Sequence, residues 1–385
     1  MKLALFAEIP VPKPWTPGKE QAAIQNTIEQ AVFAEKMGFH SFWSTEHHFL
    51  AEMSHSTNPE VIYGAIAART TKLRLGYGVR LMPKPYNHPV RTAESVATLD
   101  CVSGGRVEFG GGRSATRMEL EGFGINPHET RAMQEEAFRA IVGCWTNEEY
   151  SFEGKFWSMP PRTVVPKPVQ APHPPVWCAS NSLDGHFEIG KMGAGLLSFQ
   201  LATPPEELQE KFAAYERGLA ACENPVGAFV NRRKAAMAST HCADTYAQAK
   251  AEGGPAMIKY LTHSLPLYAA TVDYAREFQE NLGTYSYAKD IKKKVDDDGG
   301  EAKFDLDQIL DIGGALIGDP ERCLELALRF EAVGTDLLFC LCNPWSLTHE
   351  QVMHSIELLG KHVVPVLEER EKAQNRTGTA SRSAA

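Results

Sequence analysis

The chain has 385 residues, with 39 Lys and Arg against 48 Asp and Glu, 43% apolar residues and 23% charged ones. That balance supports a globular core, and the absence of any basic cluster argues against a nucleic-acid partner, which needs a positive stripe to release counterions. No apolar run approaches the roughly 20 residues that span a bilayer, so no membrane partner is expected. The opening "MKLALFAEIPVPKPW" meets Glu8 and its prolines too soon to read as a signal peptide. Eight cysteines, at 101, 144, 178, 222, 242, 323, 340 and 342, form no CxxC pair and read as reduced, mostly buried thiols of a cytoplasmic protein. Cys340 and Cys342 alternate along one apolar run, where packing is the expected role.

Taken in order, short apolar runs alternate with helical patterns. "KLALFAE" (2–8) precedes a helix over 20–37, and "HSFWSTE" (40–46) a helix over 58–70. "LRLGYGV" (73–79) precedes a helix opened by Pro89, which a first turn tolerates. "RVEFGGG" (106–112) leads to helices near 116–121 and 129–146, and "PVWCAS" (175–180) to one over 182–192. "AGLLSF" (194–199) precedes 204–221, "RKAAMAST" (233–240) precedes 244–263, and "DLLFCLC" (336–342) precedes 347–368. Eight βα units predict a parallel sheet with right-handed crossovers, and closure into a (β/α)8 TIM barrel removes the sheet edges. A doubly wound open sheet is the alternative, but "EIPVPKPW" is no phosphate-binding glycine turn.

Two segments break the alternation. Residues 148–174 predict a hairpin about Gly154, inserted before strand five. Residues 264–306 form a long loop after strand seven, either a solvated insertion or a lid over the catalytic face. One barrel domain is expected over 1–368, followed by a disordered tail over 369–385.

Barrel active sites sit where strands end, and three stretches there carry reactive groups. In "STEHHFLAEMSHST" (44–57), adjacent residues on an extended chain point to opposite sides, so His47 and His48 are poorly placed to share a metal. A lone His47 facing the mouth suits acid–base work or hydrogen bonding; His48 and His55 read as wall residues. In "GGRVEFGGGRSATRMELEGFG" (104–124), glycines allow close approach to the backbone and Arg113 offers a phosphate fork. In "CASNSLDGHFEIGKMG" (178–193), Asn181 and Ser182 open a helix, either as an anion site or as an ordinary cap. Arg113 and Ser182 end neighbouring strands and could grip one phosphate together. No nucleophile elbow or Walker loop appears.

The segments "FWSTEHHF", "LRLGYGVRLMP", "HPVRTAESVATLDCVSGGRVEFGGGR", "CASNS" and "GTDLLFCLCNP" follow in the order of a known family. On these residues the chain resembles the luciferase-like flavin monooxygenases, the (β/α)8 group of bacterial luciferase and the alkanal monooxygenases. The resemblance implies that His47 lies beside the flavin ring and that Gly78–Val79 is an unusual cis peptide beneath it. It implies that Arg113 binds the FMN phosphate, with backbone groups of Ala115 and Asn181 and the Ser182 hydroxyl at the ribityl-phosphate end. Gly112 and Gly185 depart from the pattern, standing where relatives have a cysteine and a hydroxyl residue. The implied reaction uses reduced FMN (FMNH2) from a separate NAD(P)H:flavin reductase and O2. It forms a C4a-(hydro)peroxyflavin that oxygenates a small organic substrate, in a homodimer. Phe6, Trp43 and Trp345 are candidates for an apolar substrate wall. The alternatives are hydride transfer by the deazaflavin F420 on the same fold and a metal-dependent barrel hydrolase using His47 or His55.

Overall fold

The computed structural model describes residues 1–199 and 201–382, without the side chains of 374–382. Its eight principal strands are β1 (Lys2–Ala7), β2 (Ser41–Ser44), β3 (Arg74–Tyr77), β4 (Val107–Gly112), β5 (Val176–Ser180), β6 (Gly195–Ser198), β7 (Lys234–Cys242) and β8 (Leu337–Leu341). Each pairs in parallel with its sequence neighbours, and β8 returns to β1 with Leu341 opposite Phe6. The sheet is therefore a closed (β/α)8 barrel. Its strands are apolar on both faces because one face meets the helices and the other fills the barrel.

Large and small side chains alternate inside the barrel. Trp43 meets Trp177 edge-on at 5.6 Å and Phe339 at 4.9 Å, and Phe6 stacks on Phe339 at 5.3 Å. Gly76 makes room for this cluster, since a Cβ there would run into the Trp43 indole. At the opposite end of the barrel, buried Glu108 accepts from Trp177 Nε1 (2.7 Å), Arg74 Nε (2.6 Å) and Arg233 Nη2 (2.8 Å).

The outer helices are α1 (Lys19–Lys36), α2 (Pro59–Ala67), α3 (Pro89–Ser103), α4 (Arg117–Gly122), α5 (Thr130–Thr146), α6 (Leu183–Lys191), α7 (Leu208–Ala220), α8 (Tyr246–Phe278), α9 (Ala288–Asp297), α10 (Leu306–Asp311), α11 (Pro320–Ala332), α12 (His349–His362) and α13 (Val364–Arg382). The hairpin before β5 is present, as Tyr150–Glu153 paired antiparallel with Ser158–Arg162. The insertion after β7 is present too, but it is helical rather than a loop. α8 continues to Phe278, with Pro255 and Pro266 inside it, and α9 packs against it. A short strand, Leu316–Gly318, pairs with the far end of β7.

The domain boundary at 368 falls within α13, which extends into the stretch expected to be a disordered tail. Buried Leu367 and the ion pairs Lys2–Glu371 and Arg370–Glu331 dock its first turns on the barrel; residues 383–385 lie outside the described ones. All eight cysteines are free; Cys340 and Cys342 are buried, and burial pushes the Cys340 thiol up to about 12. Among the described residues no helix is long and apolar enough to cross a membrane.

Candidate active site

The strand ends that carry the reactive residues converge on a cavity of ≈370 Å³ at the C-terminal mouth of the barrel. His47, Gly78, Val79, Arg113, Ala115 and Asn181 all line it. The segment after β2 is fixed by its own backbone: Glu46 N–H donates to Val79 O (3.0 Å) and His47 N–H to Ser56 O (3.0 Å). The Gly78–Val79 peptide is cis. Both neighbouring glycines allow close approach, for a Cβ at 112 would collide with Val79 and one at 78 would crowd Phe6.

His47 Nδ1 donates to Glu119 Oε1 at 2.9 Å. Glu119 is fully buried and also accepts from His48 N–H (3.1 Å), Ser114 Oγ (2.9 Å) and Thr116 Oγ1 (2.6 Å). Burial alone would raise the Glu119 carboxyl, but the charge and hydrogen bond of His47, together with the two hydroxyls, hold it below the usual carboxylate range. Burial likewise opposes the His47 imidazolium, yet Glu119, with Glu8 and Glu46 behind it, raises its pKa to about 9. His47 is therefore a cation at neutral pH, with Nδ1 committed and Nε2 left for a ligand. Ser114 supports this pair from a left-handed backbone (φ 68°), which sends its hydroxyl to Glu119.

His48 turns into the wall, stacking on Tyr86 with ring centroids 5.8 Å apart and lying 3.3 Å from Glu46 Oε1. His55 lies outside the cavity, 3.2 Å from Glu20. Phe6 lines the cavity, but Trp43 is sealed in the barrel interior. Trp345 borders a separate cavity of ≈430 Å³ between α1 and the loop after β8.

Arg113 donates to Thr130 Oγ1 (3.3 Å) and to the carbonyl (3.2 Å) and hydroxyl of Thr284, with its guanidinium 4.7 Å from the Tyr285 ring centroid. It also borders a neighbouring cavity of ≈540 Å³ with Arg131, Gln134, Ser180 and Gly185. Burial and then the Arg113 charge lower the pKa of Arg131, as neighbouring like charges do. Ser182 is not among the residues lining either cavity. Its hydroxyl caps α6 by accepting from Gly185 N–H at 3.1 Å. The hydroxyl missing at 185 is matched by Ser180, whose Oγ occupies the space a Cβ at 185 would need.

Glu8, Glu119, Arg131, Ser180, Tyr260, Tyr268 and Tyr287 were not marked by the sequence pattern. Glu119 was hidden by its spacing: Thr-x-x-Glu over 116–119 reads as a helix cap. Glu8 did carry a signal, being a carboxylate at the end of the first barrel strand. Among the described residues no group of three or more His, Cys, Asp or Glu side chains is arranged to hold a metal ion.

A family model described as luciferase-like monooxygenase matches residues 1–337. Among relatives spanning nearly the whole chain, limonene 1,2-monooxygenase of Rhodococcus erythropolis is 28% identical over 393 residues, covering 97% of this chain and 90% of its own. The FMNH(2)-dependent dimethylsulfone monooxygenase of Pseudomonas putida is 25% identical over 389 residues, covering 93% and 95%. The crystal structure of monooxygenase RslO1 from Streptomyces bottropensis superimposes with a TM-score of 0.74 at 23% identity, over 95% of this chain and 100% of that one, a likeness of fold.

Proposed function

This chain belongs to the luciferase-like monooxygenase family, and on that premise we propose that it uses reduced FMN and O2 to transfer one oxygen atom to a small organic substrate. The observation that carries the reading is the polarity of the site. A His47–Glu119 pair with a fully buried carboxylate stands at one part of the mouth, Arg113 at another with Arg131 in the adjoining cavity, and apolar side chains line the space between.

The donor set fits FMN. Arg113 and Arg131 supply the charge-assisted forks that a phosphate needs, with the Ser180 hydroxyl beside them. Ala115 and Asn181 offer backbone groups to the ribityl chain, and Gly78–Val79 forms a shelf for the ring. When bound, reduced FMN supplies the two electrons that activate O2, so that one oxygen atom enters the substrate and the other leaves as water. His47 donates a hydrogen bond from Nε2 and holds a proton for the reaction, while Glu119 keeps the ring charged and oriented. Phe6, Phe199, Leu201, Leu261 and Leu265 exclude water. A separate NAD(P)H:flavin reductase would deliver the reduced cofactor.

The test supplies photoreduced FMN and 18O2 to the purified protein with a panel of terpenes, ketones, sulfones and amines, and measures label in the products by mass spectrometry. Incorporation of one labelled atom is expected. Oxidation of reduced F420 with no labelled product would replace oxygen transfer with hydride transfer.

A further inference from the structure

The oxygen-transfer chemistry leaves one hydroxyl at the mouth of the barrel without a task. Along α8, Tyr260, Ser264 and Tyr268 recur every four residues, so they share a helix face, and all three line the cavity. That face is pinned on both sides of Tyr268. Tyr260 donates to Glu8 Oε1 at 2.9 Å, and Thr271 Oγ1 donates to the carbonyl of Ala115 at 2.8 Å. Tyr268 itself is only partly buried, and among the described residues its hydroxyl forms no hydrogen bond. Nor is that hydroxyl sealed away, as the unpartnered oxygens of Glu8 (Oε2), Thr45 and Tyr77 are. A helix held at two points thus presents an open donor to whatever occupies the cavity. The charges of Glu8 and Glu119 act on Tyr268, whereas that of Arg113 acts on Tyr287. Tyr287 therefore belongs to the phosphate end of the site, and Tyr268 to the end where His47 stands.

We propose that Tyr268 determines specificity by donating a hydrogen bond to a neutral oxygen acceptor, a ketone or ester carbonyl, on an otherwise apolar substrate; this rests on the oxygenase reading of the same cavity. The donor needs no special protonation, because a phenol keeps its proton at neutral pH. A hydrocarbon would leave that proton unpaired in a largely apolar space. An ammonium group brings donors alone, so it would leave the phenol proton unpaired as well. An anionic oxygen could accept the proton, but it would lie close to the carboxylates that already act on Tyr268. A neutral carbonyl oxygen meets the donor without either cost. Tyr268 and His47 then have separate roles, because the first holds the polar end of the substrate and the second serves the flavin.

The substitution Tyr268→Phe deletes one oxygen and keeps the ring that packs on the cavity. Its effect is read with cyclohexanone and methylenecyclohexane, which share a ring and differ in carrying C=O or C=CH2, and with cyclohexylammonium. Dissociation constants for the full-length chain, with and without FMN, are measured by calorimetry or saturation-transfer NMR. Tyr268→Phe should weaken cyclohexanone by roughly 3- to 10-fold, the worth of one neutral hydrogen bond, and leave methylenecyclohexane unchanged. An equal loss for both ligands would mean packing alone and overturn the proposal. So would an unchanged ketone affinity, a wild type that binds no ketone, or a loss greater for cyclohexylammonium than for the ketone. FMN affinity, followed separately by flavin fluorescence, should be equal in wild type and variant. Failure of FMN to bind either protein would sink the oxygenase reading while leaving the ketone–hydrocarbon difference to judge Tyr268.

Discussion

Glu119 is a carboxylate with no exposed side-chain surface, held by four donors, and this saturation makes it an effective partner for His47. Glu119→Gln keeps an acceptor but removes the charge, so the His47 pKa should fall from about 9 by roughly 1–3 pH units, read from imidazole 15N shifts. In the native protein His47's stabilising contribution is complete below its unfolded pKa and is lost as pH rises through about 9. The depressed Glu119 gives the opposite limb, contributing above its ordinary 4.5 and fading as pH falls below that. Thermal unfolding should therefore be least pH-dependent between the ordinary carboxylate value of 4.5 and the unfolded histidine value of 6.5, and the alkaline limb above that window should disappear in His47→Asn. Arg113→Ala should weaken FMN binding by about 1.5–3 kcal/mol, the worth of charge-assisted hydrogen bonds, measured by flavin fluorescence; unchanged affinity would remove the phosphate role. Ser182→Ala should leave that affinity intact and cost about 0.5–2 kcal/mol of stability as a lost cap. His47 and Arg113 were legible because their types and strand-end positions are unusual. Glu119 and Arg131 were not, because helix-borne charges read as solvated until packing buries them.

At the scale of elements, the insertion after β7 differs most from its sequence pattern. Pro266 and the charge run "KDIKKKVDDDGG" argue for a loop, yet the segment folds as α8 and α9. Its apolar positions explain this. Tyr260, Leu261, Ser264, Leu265 and Tyr268 recur at helical spacing along the cavity, and Ala288, Ile291 and Val295 of α9 pack against α8. Burial on both sides outweighs the propensity cost of the prolines. Replacing 279–304 with a short Gly/Ser linker should leave the barrel's cooperative unfolding in place. It would remove Tyr287 and Ile291 from the cavity and Thr284 from Arg113. The expected consequence is more hydrogen peroxide per flavin oxidised, because water reaches the site; unchanged coupling would deny the insertion a sealing role.

For the whole molecule, closure by β8 against β1 brings residues from both ends of the chain into one core, and α13 extends that contact. A chain ending at 373 should match the full chain in thermal unfolding. One ending at 363 loses Val364 and Leu367, each buried aliphatic worth about 1.5–3 kcal/mol, and should melt at a clearly lower temperature. The eight-fold alternation of apolar runs and amphipathic stretches determined the barrel by itself, because local periodicity sets element type and eight parallel strands have few ways to hide their edges. The same strand ends marked His47 and Arg113, since a barrel presents its chemistry there, whereas Gly78 and Val79 were indicated by the family resemblance. Only the tertiary structure decided that Glu119 pairs with His47, that Ser180 and Arg131 line one cavity with Arg113 while Ser182 caps a helix, and that Glu8 keeps an unpaired oxygen. Those outcomes depend on which groups share a buried volume, and burial and pairing across 72 residues, as between His47 and Glu119, leave no trace in local spacing.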